Sequence, residues 1–132
     1  MKDQRERAER TLVVLIAVHS LAVALFLTFA TEWGARLGGF GEVTPLFFAR
    51  QAGAFHFVVA LVYLVERFRY RGVLLLVMTK ATAVVFLGLT LVLVRDSPWV
   101  VPLSAAGDAA MGLAVFLLRR ARRLPLAGVA AA

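Results

Sequence analysis

The chain has 132 residues, 61% of them hydrophobic, and carries 15 Lys and Arg against 8 Asp and Glu, for a net charge of +7. This length allows one domain, and a mean hydropathy of +0.84 excludes an ordinary soluble globular chain. With no cysteine, disulfides, thiol redox chemistry, iron–sulfur clusters and thiolate zinc sites are excluded as well.

In chain order, four apolar runs occupy residues 11–30, 47–65, 72–94 and 99–118. At about 1.5 Å per residue, each is long enough as a helix to cross roughly 30 Å of hydrocarbon. The expected fold is therefore all-α, an integral membrane four-helix bundle in a single transmembrane domain spanning residues 1–132. The first run is too long for a secretory h-region, and its leader mixes acids with bases, so it reads as an uncleaved anchor. Residues 31–46 form an external loop and residues 124–132 a mobile tail of small residues.

The basic residues flank the runs rather than forming one patch, which argues for membrane orientation and against a nucleic-acid partner. Lys2, Arg5, Arg7 and Arg10, then Arg67, Arg69 and Arg71, then Arg119, Arg120, Arg122 and Arg123 alternate with the spans and fall on one side. The other side holds Arg36, Arg95 and, at the edge of the second run, Arg50. The positive-inside rule then puts both termini in the cytoplasm, N-in and C-in. Short loops after the second and third runs predict antiparallel neighbours in an up-down topology. The longer external segment, with Trp33, Phe40 and Pro45 among its glycines, has the makings of an interfacial lid.

Each span carries one ionisable or imidazole side chain near its middle: His19, His56, Lys80 and Asp108. Counted at about 1.5 Å per residue, all four lie roughly 12–14 Å from the face where their helix starts, in a common layer. Lys80 and Asp108 each cost about 2.5–3.5 kcal/mol at a helix centre, against a return of about 0.3–0.6 for each Leu, Ile, Val or Phe. The third run has fourteen Leu, Val or Phe residues and can absorb its lysine, whereas the fourth has eight and inserts only marginally with Asp108. Asp108 therefore needs a partner, and Lys80 is nearest by depth and hairpin adjacency. Small residues at helical spacing, Ser104, Asp108 and Gly112 on one span and Ala52, His56 and Ala60 on another with Tyr63 a turn further, mark these faces as buried. Arg50, about 5 Å inside the external edge, snorkels to the headgroups or contacts the loop, with an anion-binding role beside Gln51 and below the Gly-rich loop as the alternative. Glu66 and Arg67 read as ordinary interfacial charges, and Met78 and Met111 as packing residues.

The step Phe47-Phe48-Ala49-Arg50-Gln51-Ala52-Gly53 opens a span with Arg-x-x-Gly, and in a four-helix context it resembles the DoxX-like group of small bacterial membrane proteins. The resemblance implies the four-helix fold and an association with respiratory or redox-stress complexes, as a small subunit beside quinol-oxidising or detoxifying partners. It implies no catalysis by this chain.

Three functions fit these observations. The first is an accessory or interaction protein, not an enzyme, that docks on a larger membrane complex or self-associates. The second is an oligomeric proton-coupled transporter or carrier with Lys80, Asp108 and His56 as its relay. The third is a b-type haem protein with His19 and His56 as axial ligands. The expectation is no cofactor and no catalytic residue, with haem b or a quinone as the alternatives, and a polar layer of His19, His56, Lys80, Asp108, Arg50 and Tyr63 as the binding site.

Overall fold

Long apolar runs free of internal proline satisfy their backbone groups as helices, since hydrocarbon offers no partner to an open N–H or C=O. A computed structural model, which describes residues 2–128, has five: α1 (Lys2–Phe29), α2 (Thr31–Leu37), α3 (Phe47–Arg69), α4 (Leu74–Leu93) and α5 (Val100–Ala121). The four long helices are each long and apolar enough to cross a membrane. Pro102 lies in the first turn of α5, where its missing N–H is not needed.

Three boundaries differ from expectation. Helix α1 reaches back to Lys2 because residues 2–10, rich in Arg and Glu, are mostly good helix formers and carry the helix well beyond the apolar run. Helix α3 continues to Arg69 for a similar reason, its last turn being held by side-chain pairs described below. The segment 31–46, expected as loop throughout, contains α2. That short helix is fastened to the start of α5: Trp99 Nε1 donates to the Leu37 carbonyl at 2.9 Å and Val100 N–H to the Gly38 carbonyl at 3.3 Å. Gly39 takes φ +86°, and a Cβ there would meet Trp99 Cδ1 at 2.8 Å, so both conformation and space require glycine. Of the tail, residues 129–132 lie outside the described residues, while the Leu126 carbonyl accepts the Val73 N–H at 2.9 Å.

Helix α1 packs along α3 and α5 along α4, with a lesser α1–α5 contact. Gly53 sits directly against α1: a Cβ at this position would lie 2.5 Å from Thr28 Oγ1 and 2.9 Å from the Ala24 carbonyl. The small stripe Ser20, Ala24, Thr28 thus receives the glycine of the Arg-x-x-Gly step, a close approach that only small residues allow. On the other pair, a Cβ at Gly112 would meet Lys80 Cβ at 3.0 Å, so this glycine opens the path for the lysine stem. Gly88 has no neighbour within 4 Å of an added Cβ. We therefore expect Gly53→Ala to lower the melting temperature in detergent, with an overpacking cost of about 1–3 kcal/mol, while Gly88→Ala leaves it unchanged or raises it. Equal effects at both positions would contradict the α1–α3 contact.

Adjacent in sequence, α3 and α4 nevertheless touch only over a short stretch. The turn between them holds one end together, but the small-residue face of α3 is taken by α1, and α4 turns its Lys80 face to Gly112 on α5. The faces left toward each other carry bulky and polar side chains, and they part into a cleft. An apolar core of Val13, Ile16, Ala17, Tyr63, Val73, Leu76 and Val115 closes the bundle at the end that holds the α3–α4 turn.

Candidate functional site

Of the four polar groups expected in one layer, two meet directly. Lys80 Nζ lies 2.5 Å from Asp108 Oδ1, with the lysine side chain 7% exposed and the carboxylate 16%. Helix α4 presents Lys80 toward α5, Gly112 lets its stem pass, and Asp108 stands one turn from Gly112 on the facing stripe. One lysine proton is engaged by Oδ1, leaving further donors on Nζ.

The pair forms the floor of a cleft of about 550 Å³ between α3 and α4, within the roughly 300–1,000 Å³ common for small-molecule sites. His56 and Tyr63 line it from α3, Thr79, Thr82, Ala83 and Phe86 from α4, and Ser20 from α1 behind them. Two buried polar atoms here lack a well-formed hydrogen bond among the described residues: His56 Nδ1, and the Tyr63 hydroxyl, which faces the Thr79 side chain. Thr79 turns its own proton to the Leu75 carbonyl at 2.7 Å, which leaves its oxygen free to accept. Orphaned polar atoms are uncommon in buried positions, and here two accompany an ion pair in one cleft.

The remaining expected site residues stand apart. His19 is exposed on α1 and is not among the residues that line the cleft. Arg50 is exposed on the first turn of α3. Met111 packs against the core, whereas Met78 is 56% exposed at the cleft.

A second cluster, at the end of the bundle where α1 starts and α3 and α5 finish, was not anticipated. Glu9 is fully buried and is surrounded by three guanidiniums: Arg122 Nη1 at 2.8 Å from Oε2, and Arg119 Nη1 at 3.0 Å and Arg67 Nε at 3.3 Å from Oε1. Glu6 adds a contact to Arg122 at 2.9 Å. Arg119 also donates to the Arg71 and Pro125 carbonyls and so ties α5 to the α3–α4 turn. Glu66, expected to be an ordinary interfacial charge, is buried and accepts the N–H groups of Leu75 at 3.0 Å and Leu76 at 3.4 Å. Its carboxylate thereby caps the start of α4, satisfying donors that a helix N-terminus leaves open and complementing its dipole. A signal for the network was present in the matched spacing of Glu6 and Glu9 with Arg119 and Arg122, each pair three apart and so on one helix face.

Against known proteins, the chain matches no family model, no curated protein and no solved structure.

Proposed function

We propose that this chain is a small, non-catalytic membrane protein that takes a lipid-soluble amphiphile sideways from the bilayer into the α3–α4 cleft. One observation carries this reading: a largely apolar cleft between two membrane-length helices has an ion pair at its floor and, among the described residues, two buried polar atoms without a well-formed hydrogen bond, His56 Nδ1 and the Tyr63 hydroxyl, in its lining. Polar groups at this depth are costly, and those that face a cavity are characteristically used for a ligand or an ion.

In this reading the protein lies in a bacterial inner membrane with both termini cytoplasmic, supported by the concentration of Arg and Lys at the α1 start, the α3–α4 turn and the α5 end. It serves as an accessory subunit, holding or presenting its ligand to a larger membrane complex or a second copy. The Arg50-x-x-Gly53 resemblance to DoxX-like proteins agrees with such a role, and Gly53 has a physical reason in the α1 contact.

The test is to purify the protein from membranes in mild detergent and weigh it intact by native mass spectrometry. The expected result is one retained lipophilic molecule per chain, lost when Ala83→Trp fills the cleft and kept when Val92→Trp alters an exposed site on the same helix. Equal retention in both variants, with both folded by circular dichroism, would refute the reading.

A further inference from the structure

A second groove, of about 570 Å³, lies on the same helix pair. It overlaps the first in height between Val58 and Tyr63, reaches on to the α3–α4 turn, and meets the first at Leu75. Its walls are mostly apolar, with Leu61, Val65 and Leu74, and at the far end stand Tyr70, the returning tail at Gly128 and Glu66, whose carboxylate is engaged by the Leu75 and Leu76 N–H groups. The seam between α3 and α4 is thus polar near mid-span and apolar toward the end of the bundle, the reverse of an ordinary bilayer lipid, whose head lies at the surface and whose chains point inward.

Resting on the binding reading above, we infer that the ligand is a single-chain lipid with a compact, uncharged oxygen head, a hydroxyl or carbonyl. Its head sits at Lys80, Asp108, His56 and Tyr63, and its chain runs along the lower seam toward Tyr70.

Three considerations select this class. His56 lies nine residues into α3 and Asp108 eight into α5, so by about 1.5 Å per residue the head is held roughly 12–14 Å along these helices, within the hydrocarbon. A phosphate-bearing headgroup brought to that depth would lose its hydration without a compensating cation, because the charge of Lys80 is already matched by Asp108. A neutral oxygen head avoids this cost and can accept from the Tyr63 hydroxyl or the remaining Lys80 protons. The apolar lower seam, closed by Leu74 and Tyr70, then suits one hydrocarbon chain.

The full-length protein in lipid nanodiscs tests this with three photoactivatable probes: a long-chain alcohol with a diazirine beside the hydroxyl, the same alcohol with the diazirine at the chain end, and a diacyl phosphatidylglycerol with a chain-end diazirine. After irradiation, the labelled residues are mapped by peptide mass spectrometry. The head-end probe should label α4 around Thr82 and Ala83, the chain-end probe should label Leu61 to Tyr70, and unlabelled alcohol should compete at least tenfold better than phosphatidylglycerol. A reversed head and chain pattern, or equal competition by the phospholipid, overturns the inferred class while leaving a cleft that binds lipid. Absence of cleft labelling by all three probes overturns the binding reading itself. In His56→Leu, head-end labelling should fall several-fold and chain-end labelling should spread along the seam; an unchanged pattern would count against His56 as part of the head site.

Discussion

Lys80→Met is expected to destabilise the protein by about 3–5 kcal/mol, because the Asp108 carboxylate is then left uncompensated in a low-dielectric setting. Asp108→Leu should cost a similar amount for the complementary reason. The two side chains are 2.5 Å apart and largely shielded from their surroundings, so the losses should not add. In the double variant both charges are gone, and much of the melting temperature should return. Additive losses would show that the two groups do not interact in the folded protein. The double variant also separates scaffold from site. If it is stable and keeps the bound lipophile at full occupancy, the pair only joins α4 to α5; loss of the ligand from a stable double variant places the pair in the binding site.

The second large effect is expected at Glu9. With the Glu9 carboxylate fully buried among Arg67, Arg119 and Arg122, Glu9→Gln leaves three clustered guanidiniums with only the exposed Glu6 carboxylate, which reaches Arg122 and, at 3.9 Å, Arg67 but is not paired with Arg119. A loss of about 3–5 kcal/mol is expected, as for other buried pairs broken on one side. Glu6→Gln provides the contrast. The Glu6 side chain is 57% exposed, and removing it should cost no more than about 1 kcal/mol. Thermal unfolding in one detergent checks both, and salt sharpens the distinction, since exposed pairs weaken as ionic strength rises while buried ones are screened much less. Similar small losses at Glu6 and Glu9 would mean that the α1 start does not pack into the α3–α5 end.

These two clusters were not equally legible in the sequence. The four long helices follow from apolar runs alone, because a membrane-length stretch without open backbone partners has one regular solution. The Lys80–Asp108 pair was also readable, since two charges at matching depth on hairpin-connected helices have few other partners. The Glu9 network was not, because its members are separated by 110 or more residues for the α1–α5 pairs and charges at helix ends are usually solvated. Only the matched three-residue spacing of Glu6 and Glu9 with Arg119 and Arg122 hinted at it. The capping role of Glu66 was hidden for a related reason: the donors it meets belong to the next helix, across a turn.

The cleft lay furthest from sequence reach. A short turn between α3 and α4 predicts contact along their length, yet Gly53 draws α3 to α1 and Gly112 draws α4 to α5. Which small-residue stripe meets which partner is a property of the whole bundle, and it decides where the bundle opens. His56 and Tyr63 were recognisable as polar residues on a buried face. That His56 Nδ1 and the Tyr63 hydroxyl would lack a well-formed hydrogen bond among the described residues, beside an open cleft, was not.

The central claim, that a Lys80–Asp108 pair inside one bundle forms the floor of this cleft, has a direct measurement. The chain contains two lysines, Lys2 and Lys80, so the Nζ spectrum of uniformly 15N,13C-labelled protein in bilayers should resolve into two signals, assignable with Lys80→Met. Solid-state NMR should then show a through-space cross-peak from the Lys80 Nζ to the Asp108 carboxyl carbon, with that carbon at an ionised shift. A Lys80 signal with no carboxyl contact, together with an Asp108 carbon at the protonated shift, would contradict the paired layer on which the binding site is built.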